Sequence, residues 1–230
     1  MDTVNLNTGK FVISKCEDEE IKSFLESGVS NYFMELSQYI NDNDDDGIIH
    51  YATEMTIASL FVSGNLRNDP KMTGVQEYGT ICLKNNKEVK GRPDIFIKSG
   101  TNVIWIECKY QKNINPLRSD HWDIKGWLEW DRQNAFSQVE TYYQSEGKNL
   151  NNTYTKRYLV TLCFKFIEEN KEEHEKQVAV LESQVENDFE SNRIWYYKVG
   201  FFNVEKGKAA GVEVYGTCYD VLKNSQPITS

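Results

Sequence analysis

Long apolar runs are missing from this sequence. Its strongest hydrophobic stretches, such as Val103-Ile104-Trp105-Ile106, fall far short of the ~20 residues a helix needs to cross a bilayer, so no membrane span is expected. The amino terminus, Met1-Asp2-Thr3-Val4-Asn5, has neither the basic nor the apolar part of a signal peptide, which predicts no secretion. No C-x-x-C pair occurs among the five cysteines (Cys16, Cys82, Cys108, Cys163, Cys218). That odd, scattered set argues against a disulfide framework and a zinc site, and suits a reducing cytoplasm. The three histidines, His50, His121 and His174, are too dispersed to define a metal cluster. No Gly-x-x-x-x-Gly-Lys phosphate loop is present, so any ATP-driven step falls to a separate ATPase or defence-system partner. No Ser-His-Asp signature stands out either.

A net positive charge is also lacking. The formal charge is −9, and an acidic chain is a poor nonspecific partner for nucleic-acid phosphates. The charge is unevenly spread, however. Residues 84–125 carry nine basic side chains against five acidic ones and stand at +4, leaving −13 for the remainder. An anionic ligand could dock on that segment despite the global sign, although a solvated surface gives the same arithmetic.

What is present is an ordinary globular composition. With 230 residues, 39% of them hydrophobic and 27% charged, the chain is expected to form one domain with its own core. Ile21, Phe24, Leu25, Val29, Tyr32, Phe33 and Leu36 recur at helical spacing and predict a helix over 18–40. A second helix is expected from about 48 to 62. Strands are expected over 73–83, 90–97 and 102–110, separated by Asn85-Asn86 and Ser99-Gly100 turn signals. A third helix follows over 131–144 and a buried strand over 156–166. A charged helical insertion over about 168–190 and strands over 193–202 and 212–219 complete the pass. The order predicts an α/β domain, a mixed central β-sheet flanked by helices, with its core over about 48–166.

The chemistry concentrates in Gly91-Arg92-Pro93-Asp94-Ile95-Phe96-Ile97 and Val103-Ile104-Trp105-Ile106-Glu107-Cys108-Lys109. In the second stretch strand alternation puts Val103, Trp105, Glu107 and Lys109 on one face. An acid and a lysine thus stand side by side at the end of an otherwise apolar strand, where an unpaired buried charge is costly. If the two strands pair as a hairpin, Asp94 falls near both. Two carboxylates and a lysine suit metal-assisted phosphodiester cleavage: carboxylates hold Mg²⁺, a hard cation that prefers oxygen, and lysine orients or deprotonates water.

Pro93-Asp94, twelve intervening residues, then Glu107-Cys108-Lys109 resembles the motif of the PD-(D/E)xK nuclease superfamily, with its restriction-endonuclease-like α-β-β-β-α-β core. The acid-x-Lys triplet recurs elsewhere, at Glu20-Lys22 and Glu88-Lys90 for example. Only Glu107-Lys109 ends an apolar alternating strand, and Pro93-Asp94 is the sole Pro-Asp in the chain. Two further features extend the resemblance. Glu54 precedes Ile57, Ala58 and Phe61 on the second helix and is expected to point toward the packed face. Gln138 and Tyr142, four apart on one helical face, match the Gln-x-x-x-Tyr helix motif of the exonuclease-like branch.

The resemblance implies a Mg²⁺-dependent nuclease, with Mn²⁺ as a substitute, acting on nucleic acid and first of all on DNA. Asp94, Glu107 and the Cys108 backbone carbonyl would ligate metal, with Glu54 completing the site directly or through water. Lys109 would handle the water, and Gln138 and Tyr142 would meet substrate. Lys90, Arg92, Lys112 and Arg118 are candidates for phosphate contacts. A homodimer would supply two sites for two strands. Endonuclease and exonuclease action both remain compatible with the chain.

Plainer explanations exist for each residue taken singly. Asp94 after proline serves as a strand-start acid. Glu107 and Lys109 make a surface pair worth under ~1 kcal/mol. Tyr142 packs in a core. A non-catalytic nucleic-acid-binding or assembly module on the same fold is the alternative function. Trp122, Trp127 and Trp130 could stack on bases or merely pack a loop. The acidic run Asp42, Asp44, Asp46, Gly47 imitates the start of a calcium loop, but the twelfth position is Thr53. Glu54 comes one residue late and is turned away by ~100° on a helix, so a solvated loop with Asp46 as helix cap is expected instead.

Overall fold

The computed structural model describes residues 6–8, 11–14, 16–43, 54–69, 71–76, 80–84, 87–91, 93–110, 131–146, 154–169, 179, 183, 194–202 and 209–221. Helix α1 (Glu19–Asn43) begins where the sequence supplies a cap. Asp18 Oδ1 accepts the backbone N–H groups of Glu20 at 3.1 Å and Ile21 at 3.4 Å, satisfying donors that the first turn leaves open. The helical stripe Ile21, Leu25, Val29, Tyr32, Phe33 and Leu36 is buried throughout.

Helix α2 (Glu54–Asn68) packs on α1 through small residues and one amide. A Cβ on Gly64 would come within 2.6 Å of the Asn31 carbonyl oxygen, so the helices can approach this closely only with glycine there. Asn65, buried at the crossing, donates to the carbonyls of Gly28 at 3.2 Å and Phe61 at 2.8 Å.

Both helices cover one face of an eight-stranded mixed sheet. Its strands are β1 (Leu6–Thr8), β2 (Val12–Ile13), β3 (Met72–Gln76), β6 (Ile95–Ser99), β7 (Asn102–Tyr110), β8 (Lys156–Glu169), β9 (Ile194–Phe202) and β10 (Ala209–Asp220). The order is β1-β9-β10-β8-β7-β6-β3, with β2 following β1 along the same edge of β9. Among the described strands every pairing is antiparallel except β7–β8. A parallel pair needs a crossover connection. Here it contains a π-helical turn (Arg132–Phe136) running into helix α3 (Ser137–Glu146), which packs on the second face of the sheet. Strands β4 (Thr80–Lys84) and β5 (Lys87–Gly91) form a separate two-stranded sheet beside α3.

The sheet therefore divides two cores. Ile95, Ile97, Ile104, Ile106, Cys108, Tyr158, Val160, Leu162 and Phe164 pack toward α1 and α2. Val103, Trp105 and Leu159 pack toward Phe136, Val139 and Tyr143.

Several expected boundaries change. The strands expected over 73–83 and 90–97 are each divided, because β4 and β5 leave the main sheet and only β3 and β6 stay in it. Helix α2 continues to Asn68. Strand β8 runs to Glu169, so residues 168 and 169 belong to the sheet and not to a helical insertion; Ala179 and Ser183, the described residues of that segment, are helical. The edge strands β1 and β2 were not expected, since two or three residues carry no readable alternation. The acidic run beyond Asn43, all three histidines and Trp122, Trp127 and Trp130 lie outside the described residues. Among the described residues, no helix is long and apolar enough to cross a membrane.

Candidate active site

The site is built by a tight hairpin. Gly100 adopts φ 58°, which an L side chain rarely tolerates, and the turn there pairs Ser99 with Asn102, Ile97 with Ile104 and Ile95 with Ile106. One step beyond the last pair, Asp94 stands across from Glu107. Its Oδ2 accepts the Cys108 backbone N–H at 2.7 Å, so a carboxylate ends the ladder where β6 begins.

Alternation along β7 then distributes the side chains as expected. Cys108 is buried on the α1–α2 side, whereas Trp105 and Glu107 face the α3 side. Glu107 is only 2% exposed. Its Oε1 accepts the Lys109 ammonium at 2.6 Å, and its Oε2 has no hydrogen-bond partner among the described residues. Burial, and then the neighbouring Asp94 carboxylate, push the Glu107 carboxyl up to about 8 against the opposing pull of Lys109. Burial draws the Lys109 ammonium down, but Glu107, Glu54 and Asp94 outweigh it and the net direction is up. Three carboxylates around one ammonium leave the cluster negative. Lysine therefore keeps its proton, and Glu107 is the group driven to take one up.

Glu54 differs from expectation. It is exposed at the first residue of α2, not buried on the packed face. The stripe Ile57, Ala58 and Phe61 is buried as predicted, but Glu54 is not part of it. It still acts electrostatically on Glu107, Lys109 and Cys163.

The helix pair Gln138 and Tyr142 lies beside the sheet-facing stripe and not within it. Ala135, Phe136, Val139 and Tyr143 are buried against the sheet, with Tyr143 edge-on to Trp105 at 5.4 Å. Gln138 is exposed and its Nε2 donates to the Asn134 carbonyl; Tyr142 is half-buried. Lys90 sits on β5, paired with Ile81. Arg92, Lys112 and Arg118 lie outside the described residues.

A buried polar chain beside Glu107 escaped the sequence reading. Thr161 is the β8 register partner of Glu107. Thr217 of β10 donates its hydroxyl to Asp131 Oδ2 at 2.8 Å, which obliges Thr161 to donate in the 3.1 Å contact between the two hydroxyls. Thr161 Oγ1 accepts the Thr217 N–H at 2.8 Å, while its carbonyl accepts the Tyr196 hydroxyl at 2.6 Å. Gly216 makes this possible: a Cβ there would lie 1.8 Å from the Thr161 carbonyl oxygen. Asp131, 0% exposed, opens the π-helical turn. Its only sequence signal was an acid directly before an amphipathic helix, and the threonines had none.

Among the described residues, no three His, Cys, Asp or Glu side chains converge closely enough to form a metal cage. Two adjoining carboxylates, Asp94 and Glu107, with one buried oxygen of Glu107 unpartnered, fit Mg²⁺ nonetheless. That ion keeps several of its waters and takes one or two carboxylates. No protein-family model matches the chain, and neither curated proteins nor solved structures return a match.

Proposed function

We propose that this protein is a Mg²⁺-dependent nuclease of the PD-(D/E)xK type, hydrolysing phosphodiester bonds in nucleic acid, with DNA as the first substrate to test. The observation that carries the reading is the unpartnered, buried Oε2 of Glu107, set across the hairpin from Asp94 and beside Lys109. A buried carboxylate oxygen with nothing to accept is costly unless a cation or donor arrives. The order α2-β3-β6-β7-α3-β8, with the β4–β5 hairpin set aside, agrees with the restriction-endonuclease-like core.

Asp94, Glu107 and the Cys108 carbonyl would hold Mg²⁺, or Mn²⁺ in its place, with Glu54 near enough to share the charge. The bound ion would supply Lewis-acid stabilisation of charge developing on the phosphate oxygens. Lys109, already held by Glu107, places an ammonium at the strand end where it can orient the attacking water. Its raised proton affinity makes it a better donor to charged oxygen than a base while Glu107 stays ionised. The Asp94–Cys108 hydrogen bond keeps the first carboxylate from swinging away. Lys90, Arg92, Lys112 and Arg118 remain proposed phosphate contacts, and Gln138 and Tyr142 proposed substrate contacts.

The direct test is digestion of matched linear and covalently closed circular DNA with Mg²⁺, beside Asp94→Ala. Cutting that disappears in the variant supports the nuclease, and loss of the circle marks an endonuclease. A folded protein that cuts neither DNA nor RNA, with Mg²⁺ or Mn²⁺, would sink the reading and favour a binding or assembly module.

A further inference from the structure

Among the described residues, β4 and β5 pair only with each other and take no part in the eight-stranded sheet. A lone two-stranded hairpin is marginal in water unless it packs on something. Here β4, not β5, is the strand that packs on α3. The sequence divides accordingly. Ile81, Cys82 and Leu83 occupy the middle of β4, whereas Lys87, Glu88 and Lys90 fall on β5. An apolar strand ties the hairpin to the helix, and a charged strand forms its other edge.

The charge of this hairpin is opposite to that of the chain. Between Thr80 and Gly91 three lysines stand against one acid, in a chain of net charge −9. The register sets Lys84 directly opposite Lys87, at the closed end beside Asn85-Asn86. Alternation puts that pair on one face of the hairpin and Lys90 on the other. Like charges at opposed positions destabilise an antiparallel pair, so stability gives no reason for two lysines there. Protection of a free edge explains a lysine on β5 but not its counterpart on β4. An anion lying across both turns the cost into attraction.

The hairpin also adjoins the chemistry. Asp94 follows Gly91, the last residue of β5, by three residues, a reach of about 10 Å at most. Helix α3, on which β4 packs, carries Gln138 and Tyr142. The site itself is a poor anchor for phosphate, because Glu107, Glu54 and Asp94 surround the single ammonium of Lys109. A polyanionic substrate needs its positive contacts next to such a cluster.

We propose that the β4–β5 hairpin is a backbone-gripping arm for duplex DNA, in which Lys84 and Lys87 meet phosphates a few base pairs from the bond to be cut. Its placement beside the bond to be cut rests on the nuclease reading; its grip on phosphate does not.

The experiment is a fluorescence-anisotropy titration of the full chain with a labelled DNA duplex over a salt series, with Ca²⁺ replacing Mg²⁺ to limit cutting. Wild-type affinity should fall with salt. Lys84→Gln/Lys87→Gln should flatten the log–log slope by about two, roughly one for each lost phosphate contact. Lys22→Gln/Lys71→Gln removes the same charge from α1 and the start of β3, and should leave the slope unchanged. The hairpin variant should melt at or above the wild-type temperature, since an opposed pair of like charges is gone.

An unchanged slope overturns the arm, as does absence of wild-type binding. Equal flattening by Lys22→Gln/Lys71→Gln also overturns it, because diffuse attraction gives that result. Failure of the arm and of the nuclease are distinguishable. Cutting that Asp94→Ala abolishes, with an unchanged slope in the hairpin variant, keeps the nuclease and removes the arm. A flattened slope in a chain that cuts nothing keeps the arm and removes the nuclease.

Discussion

Asp94 Oδ2 accepts the Cys108 backbone N–H at 2.7 Å across the β6–β7 hairpin. This bond ties a side chain that opens one strand to the backbone between Glu107 and Lys109 on the other. The carboxylate is thereby oriented by the fold itself, before any substrate or ion arrives, and the three charged groups hold one arrangement.

Replacing Lys109 with alanine should reduce Mg²⁺-dependent cleavage by about 10²–10⁴-fold, the usual contribution of a positioned proton-handling group. The fold should survive, because Glu107 can take up a proton when its partner is removed; burial already favours its neutral form. Plasmid nicking rates beside circular dichroism spectra check both halves. Persistent cleavage would remove Lys109 from the chemistry.

Mg²⁺ should raise the melting temperature of the wild-type chain. At a hundred times its dissociation constant a ligand adds about 2.7 kcal/mol, which for a chain of this size is about 5–10 °C. Asp94→Asn and Glu107→Gln should each abolish most of that rise. Differential scanning fluorimetry over an Mg²⁺ series measures it, and an undiminished rise in both variants would place the ion elsewhere.

Gly216→Ala should destabilise the protein by about 3 kcal/mol or more, at the upper end of overpacking costs, since the new methyl group meets backbone 1.8 Å away. Gly100→Ala meets no atom and should cost less, through its φ of 58° alone. Urea denaturation of both variants separates a steric clash from a backbone preference.

Asp18 should make stability fall in acid. Burial raises its carboxyl, but hydrogen bonds from Tyr158 and Lys156 outweigh it and hold the group below its usual 3.8. A carboxyl depressed in the folded state binds fewer protons there than in the unfolded chain. Its contribution is therefore complete above 3.8 and disappears as pH falls through the lower folded value. Asp18→Asn should melt below wild type near neutrality, and the gap should close at strongly acidic pH. Asparagine keeps the helix cap, so a gap that stays constant with pH would show that the loss does not come from the ionisation of Asp18.

How much of the site could be read in advance depends on the range of the interaction. Alternation along β7 is a local, period-two property, and the turn at Gly100 fixes the register of its hairpin. The approach of Asp94 to Glu107 was therefore legible from spacing. The buried stripe of α1 was legible for the same reason at a period of 3.6. The exposure of Glu54 was not, because periodicity places a residue on a helix face but does not say which distant element packs over it.

By itself, the amino-acid order determined the alternating β7, the hairpin that sets an acid across from Glu107, the amphipathic helices and the absence of a membrane-spanning run. Only the tertiary structure decided that β8 lies parallel beside β7, which brings Thr161 next to Glu107 and Thr217 within reach of Asp131, 86 residues away in the chain. It alone set the Asn102 amide against Glu20, 82 residues distant. The reason is physical: backbone geometry propagates over a few residues, whereas the partner of a buried polar group is set by which distant strand or helix packs against it, and no local pattern encodes that choice.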